Sequence, residues 1–420
     1  AQHKFCRVDV LIKIEKFATI AQHKNQQESI MNLPILRKPL AASLIAATML
    51  FALPQQTALA QSKRAVAPAA LQLRSLYDTD PAFKQRVDDM FANLAPTVDG
   101  KPNPWLGKNA QDLAQFVDQW HYFLPMTHDG LSYIRKFQAL YANNPAGLRF
   151  IRQEPGLSWI ANMVRSRGEY MDSPGSLALV EQWKAAPRIG FDDYIEPEGG
   201  YRSFNDFFTR SLKPGKRPVD RPADDSVIVS PADCIVQIMD VALTDQSALP
   251  TKGSEQLNVA QMLNNSPLAK SFVGGTALRC ILEPTSYHHY HAPVGGMVLE
   301  ANQDVAGPYF EERIVPSAAR HRRGYLIIET PKYGKVAMVA IGLATISSVK
   351  FENRFAKVSQ PTPISKGERI GHFAYGGSMV YLLLEKNRLP SLSARQGQQI
   401  GVFNEVADAV KPVPDKQAGK

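Results

Sequence analysis

The sequence predicts an α+β protein, a helical N-terminal half followed by a mainly antiparallel β half. From about residue 70 to 212, apolar positions recur at helical spacing while glycines and β-branched residues are sparse. After Pro214 the chain changes to short β-rich runs separated by Gly, Pro and polar turns. The composition, 44% hydrophobic and 21% charged over 420 residues, is that of a globular chain with a sizeable core. It excludes disorder, collagen and coiled coil.

Taken in order, residues 1–30 read as an unstructured segment upstream of an initiator at Met31. Residues 31–60 read as an export signal. Arg37 and Lys38 form a basic flank, Leu40 to Leu53 is an apolar run of 14 residues, and Ala58-Leu59-Ala60 is a small-residue cleavage pattern. The run is short of the ~20 residues that span a bilayer, so cleavage after Ala60 and a periplasmic, exported protein are expected.

Residues 61–212 form the expected helical N-terminal domain. Gln111 to Phe123 places Leu113, Phe116, Val117, Trp120 and Phe123 on one face, and Leu131 to Tyr141 repeats the pattern. Ser173-Pro174 predicts a helix start with Ser as N-cap, and Ser203 caps FNDFFTRSL in the same way. Residues 213–390 form the β domain, with strands in VIVSPADCIVQIMD, TALRCILEP, GGMVLEA, GYLIIET, KVAMVAIGLATISSVKF and MVYLLLE. Residues 391–420 are a polar, Pro-containing tail.

The net charge of +9 is concentrated upstream: residues 1–60 carry seven Lys/Arg against three Asp/Glu. The remainder is too diffusely basic to bind nucleic acid. Cys6, Cys234 and Cys280 are too few for a disulfide scaffold or a four-thiolate zinc site.

Four segments carry chemistry: SFNDFFTRSLKPGKRPVD (203–220), Ser230-Pro231-Ala232-Asp233, LEPTSYHHYHAP (282–293), and KGERIGHFAYGGSMV, which ends in Gly376-Gly377-Ser378-Met379-Val380. Each is weak alone, and Gly-Gly-Ser by itself reads as a plain turn into a strand. A hydrolase elbow fits poorly, because Val380 stands where that motif needs Gly. In this order and spacing the four segments closely resemble the phosphatidylserine decarboxylase family, over about 200–386. The preceding helical segment is similar to the extra N-terminal domain of a subgroup that includes decarboxylases of free amino acids such as tryptophan.

The resemblance implies a β domain like a barrel-sandwich hybrid and a pyruvoyl cofactor generated from Ser378. Amine decarboxylation needs an electron sink conjugated to the substrate nitrogen, and no ordinary side chain is one. A pyruvoyl carbonyl supplies it through a Schiff base. The implied maturation is attack of Ser378 on the Gly377 carbonyl, then β-elimination and hydrolysis, with cleavage between Gly377 and Ser378. A serine hydroxyl needs a base, and the family pattern carries an Asp-His pair onto Asp233 and His291. His288 matches a residue beside the substrate, suited to proton handling. Taken alone, Asp233 reads better as a turn-capping carboxylate after Pro-Ala. A metal site at the histidines ranks lower, since no matching carboxylate or thiol lies near in sequence.

The sequence departs from the family at Met379 (commonly Thr or Ser), Cys234 (Gly), Ser286 (Asp) and His289 (Arg). Cys234 and Cys280 leave two readings open, a disulfide or two buried thiols. The expected activity is conversion of phosphatidylserine to phosphatidylethanolamine and carbon dioxide. Decarboxylation of a free aromatic amino acid is the alternative, and an exported, non-processing binding protein is a third. The expected partners are a phospholipid or small amino-acid substrate, with α and β chains that stay associated. Peripheral membrane contact and a homodimer are compatible with the resemblance.

Overall fold

Asp80 joins the first two helices and starts the second. Its carboxylate accepts from the N–H groups of Ala82 and Phe83, capping α2 (Pro81–Ala92) directly after α1 (Pro68–Thr79). The computed structural model describes residues 64–125, 132–251, 256–305, 322–342, 349–375 and 377–388, with Gln396. The expected export signal, the upstream segment and nearly all of the tail lie outside the described residues.

Helix α3 (Ala110–Tyr122) follows the amphipathic reading, with a capping box between Asn109 and Asp112 at its start. Leu113, Phe116, Val117 and Trp120 are buried on one face. Helices α4 (Ser132–Gln138), α5 (Pro145–Arg152) and α6 (Gly156–Met171) complete this layer. Phe83, Trp105, Phe116, Phe137, Phe150 and Trp159 form its aromatic core. The expected Ser173 cap is not made. Residues Pro174–Leu179 form a 3-10 helix, and the Ser173 hydroxyl donates to the Tyr170 carbonyl instead, so it closes the preceding helix. A short helix α7 (Val180–Ala185) follows. Ser203 does cap α8 (Phe204–Phe208), accepting from Asp206 N–H at 3.0 Å.

The β half is built of strands β1 (Ile235–Asp240), β2 (Thr276–Ile281), β3 (His289–His291), β4 (Gly296–Val305), β5 (Arg323–Thr330), β6 (Gly334–Gly342), β7 (Val349–Phe351), β8 (Lys357–Val358), β9 (Thr362–Ile364), β10 (Arg369–Phe373) and β11 (Gly377–Leu384). One large sheet runs β8-β4-β5-β6-β11-β2-β1, with β9 also on β4, and a smaller one runs β7-β10-β3. Every one of these pairings is antiparallel. No closed barrel forms among the described residues, so the architecture is an open α+β arrangement.

The central strands are apolar on both faces because both faces are covered. Leu326, Ile328, Met338, Val380 and Leu382 pack toward Tyr290, Phe351, Ile370 and Phe373 of the smaller sheet. Ile327, Val339, Ile341, Tyr381 and Leu383 pack beneath Leu249, Leu257, Met262 and Phe272 of the connection between β1 and β2. The helical and β halves lie together in one compact unit, residues 60–390.

Candidate functional site

Strand register brings three of the four chemical segments to one end of the large sheet. Ile235, at the start of β1, pairs with Ile281 at the end of β2, and Ile281 pairs with Met379 at the start of β11. The residues just before β1, just after β2 and at the start of β11 therefore converge. These are the segments of Asp233, His288–His291 and Ser378.

At Ser378 the ladder is interrupted. On β6, Ile341 and Gly342 are consecutive, yet they pair with Met379 and Gly377, leaving Ser378 as an extra residue opposite the step between them. This β-bulge releases the backbone around Gly377-Ser378 from regular pairing, and bulges recur beside active sites for that reason. The strand entering the bulge is anchored from the helical half: Tyr375 N–H donates to Asn205 Oδ1 at 3.1 Å, and Asn205 Nδ2 donates to Asp172 at 2.9 Å. Gly376 lies outside the described residues.

His291 is held by two groups. Its Nδ1 lies 2.8 Å from the Gly367 carbonyl, and its Nε2 lies 3.3 Å from the Tyr287 hydroxyl. A carbonyl only accepts, so Nδ1 carries the proton and Nε2 is left as an acceptor. Burial holds the imidazole below its ordinary pKa, which keeps that nitrogen unprotonated. The backbone fixes its place as well, since His291 N–H donates to the Pro231 carbonyl at 2.8 Å.

Asp233 sits on the same corner but with a different partner from the one expected. Its carboxylate is gripped by Arg217, and the His291 ring is oriented by Gly367. The physical reason is that a planar guanidinium matches a carboxylate in a fork, a charged bond that outcompetes a neutral imidazole. Arg217 also donates to Asp193 at 2.7 Å, and with Lys216 it lowers the Asp193 pKa to about 2. Arg217 takes a left-handed backbone, φ +54°, uncommon for a residue with a side chain.

His288 is 1% exposed, with Nδ1 2.8 Å from the Ser286 carbonyl and its ring 4.0 Å from that of Phe208. Phe208 in turn meets Tyr375 edge-on, and Phe373 N–H donates to the His288 carbonyl at 2.9 Å. His288 is thus tied to the segment that runs into Ser378. His289, assigned no role from sequence, is a buried structural residue: its Nε2 donates to the Thr209 carbonyl at 2.9 Å and its ring stacks on Tyr287. Burial pushes its pKa down to about 3. Arg210 links the first segment to the third, donating to the Thr285 carbonyl at 2.8 Å and lying over the Tyr194 ring.

Cys280, on β2, and Cys234, just before β1, are free thiols. Their mutual hydrogen bond lowers the Cys234 pKa and raises that of Cys280. Arg217, Gly367 and Tyr287 all lie inside the motifs read from sequence, but only their spatial roles single them out.

Comparisons with known proteins bear on the family. The family model described as phosphatidylserine decarboxylase matches residues 204–407. A phosphatidylserine decarboxylase proenzyme of Fusobacterium nucleatum is 31% identical over 229 residues, covering 53% of this chain and 73% of the relative. One of Clostridium novyi is 27% identical, covering 58% and 83%. Proenzyme 3 of Schizosaccharomyces pombe is 28% identical but is spanned over only 23% of its length. The helical segment before residue 204 lies outside the family match. With the site's motifs converging at one sheet end, and a relative of this identity matched over most of its length, the chain belongs to the phosphatidylserine decarboxylase family.

Proposed function

We propose that the protein is a pyruvoyl-dependent carboxy-lyase that converts phosphatidylserine to phosphatidylethanolamine and carbon dioxide after cleaving itself between Gly377 and Ser378. The observation that carries this reading is the bulge at Ser378, at the same sheet end as a half-buried histidine, His291, whose Nε2 bears no proton. Family membership supports the reaction, and the relatives' names favour phosphatidylserine over a free amino acid.

The chain's own residues account for maturation. His291 Nε2 takes the hydroxyl proton of Ser378, and the oxygen attacks the Gly377 carbonyl carbon. The peptide C–N bond breaks as the C–O bond forms, leaving an ester and a free amine on residue 378. Loss of the α-proton expels the Gly377 carboxylate and leaves a dehydroalanine, whose imine tautomer takes up water and releases ammonia. Tyr287, hydrogen-bonded to Nε2, and Gly367, hydrogen-bonded to Nδ1, keep the base in its tautomer and orientation. Asp233 acts on His291 through its charge, from the position that Arg217 sets.

These groups fit a pyruvoyl residue: a serine at a ladder interruption, a neutral base, and a buried imidazole, His288, tied to the same segment. When formed, the group supplies an electron sink conjugated to the substrate nitrogen. His288 then holds or returns a proton at the reacting carbon. The small chain stays in place because β11 lies between β6 and β2, so cleavage leaves it paired on both sides. Export rests on the basic flank, apolar run and Ala58-Leu59-Ala60 of the sequence. No helix of the described residues is long and apolar enough to cross a membrane.

Intact-mass measurement and a carbon dioxide assay test the proposal together. The expected products are a small chain of 43 residues, 378–420, and gas release from phosphatidylserine micelles. An uncleaved chain after prolonged incubation overturns self-processing. Release from tryptophan but not from the lipid moves the substrate to the amino-acid class. N-terminal sequencing of the large chain starts at Gln61 if the signal is removed as read.

A further inference from the structure

The nitrogen assigned as the base in maturation is already in use. His291 Nδ1 carries the ring proton, because it lies 2.8 Å from the Gly367 carbonyl. Nε2 therefore presents a single lone pair in the ring plane, and the Tyr287 hydroxyl lies 3.3 Å from it. The phenol is the donor in this pair. Burial raises its pKa to about 12, so it keeps its proton at neutral pH, and an unprotonated ring nitrogen only accepts. One lone pair takes one full hydrogen bond. While Tyr287 donates to it, Nε2 cannot receive the proton of Ser378.

The phenol is held there by its ring. Tyr287 is buried, stacks on His289 with ring centres 4.7 Å apart, and lies 6.3 Å from the ring of Tyr194. His289 is itself fixed by its bond to the Thr209 carbonyl. The bond to His291 is nevertheless a long one. Proton transfer runs over about 2.6–3.2 Å, so at 3.3 Å the phenol covers the lone pair but is a poor carrier of protons. Gly367 fixes the tautomer and the Pro231 carbonyl anchors the His291 backbone, so the imidazole stays in place when the phenol lets go. We propose that Tyr287 is a brake on maturation, occupying His291 Nε2 in the precursor until the Ser378 hydroxyl displaces it. The bond yields by rotation of the O–H about the phenol C–O axis, with no movement of the packed ring. This role rests on the reading of His291 as the base for Ser378, and it governs when that base becomes available.

Tyr287→Phe keeps the ring and its stacking and removes only the hydroxyl. Pulse–chase labelling during cell-free synthesis of the full chain follows cleavage from the uncleaved state. The variant is expected to cleave about 2–10 times faster than the unaltered chain, the worth of one net hydrogen bond. A loosened structure would not speed the reaction. Slower cleavage makes the phenol a carrier of the serine proton, and that result or an unchanged rate overturns the brake. A second measurement reads the bond with Tyr287 intact. In uncleaved Ser378→Ala protein carrying isotope-labelled histidine, nitrogen NMR locates His291 Nε2, assigned by its loss in His291→Gln. Its resonance is expected upfield of an imidazole nitrogen that accepts no bond, and adding Tyr287→Phe should move it downfield. A resonance at the unbonded position overturns the proposal even where Tyr287→Phe does not fold. His291→Ala separates the two readings. If it cleaves at the normal rate, the base itself is misassigned; if it is inert while Tyr287→Phe gains no speed, the brake alone is lost.

Discussion

Arg217 holds the Asp233 carboxylate through three contacts, from Nε to Oδ1 and Oδ2 at 3.1 and 3.0 Å and from Nη2 to Oδ2 at 2.9 Å. The carboxylate is thereby placed near His291 but largely neutralised. Its remaining pull on the imidazole is upward and weaker than burial, the Gly367 bond and the opposing charge of Arg369. Removing the cation in Arg217→Gln leaves Asp233 unscreened, so the His291 pKa rises. Processing needs neutral His291, and the acid limb of the processing rate should therefore move to higher pH. The shift is expected to be on the order of one pH unit or less, since the pair is partly solvated. A rate profile between pH 4 and 8, read by intact mass, checks this. An unmoved limb disconnects Asp233 from His291.

His291→Ala should accumulate uncleaved chain, with processing slowed by about 10²–10⁴, the range of a general base. Ser378→Ala should abolish it. His288→Ala should cleave normally and then release carbon dioxide slowly, because its ring meets Phe208 and the segment entering β11 rather than the His291 hydrogen bonds. A gel of the three variants and an assay of the cleaved one separate these roles. If His288→Ala blocks cleavage, the two histidines have exchanged functions.

Gly296 opens β4 at φ +152°, and a Cβ there would lie 2.1 Å from the Glu329 carbonyl oxygen. That atom belongs to β5, paired with β4 in the large sheet, so it cannot move without breaking the ladder. Gly296→Ala should destabilise the fold by at least ~2 kcal/mol, the scale of a backbone clash in a core element. Urea unfolding of a processing-dead background, Ser378→Ala, measures it without interference from cleavage.

His289 makes stability fall with acid. Its folded pKa of about 3 lies below the ordinary value of 6.5. The unfolded chain therefore takes up the proton first, and the loss begins as pH falls below about 6.5 and continues toward 3. Each pH unit in that window costs about 1.4 kcal/mol, or ~2 kcal/mol between pH 7 and 5. His289→Gln keeps a donor for the Thr209 carbonyl but does not titrate. Its unfolding free energy should fall less between these two pH values, by that difference. His121 adds a parallel loss that the variant retains.

The helical and strand-rich halves, the Ser203 cap and the central strands were legible in the sequence, because helical and strand periodicities are local consequences of which faces are covered. So was the set of chemical segments, and with it the family. The Ser173 cap was misjudged because a serine hydroxyl serves equally well at the end of one helix and the start of another; which carbonyl or N–H lies nearer is set by the turn between them. Three further facts needed the folded chain. The bulge at Ser378 exists only as a mismatch between β11 and β6, which lie more than thirty residues apart in sequence. The tautomer of His291 depends on Gly367, 76 residues away, and the grip on Asp233 depends on a loop that sets Arg217 at positive φ. The burial of Arg167 is likewise invisible in one dimension, where an arginine on an amphipathic helix reads as solvated. Sequence patterns record the covering of faces, but hydrogen-bond partners are chosen by competition among all groups that tertiary packing brings within about 3 Å, and that competition is settled only in the folded structure.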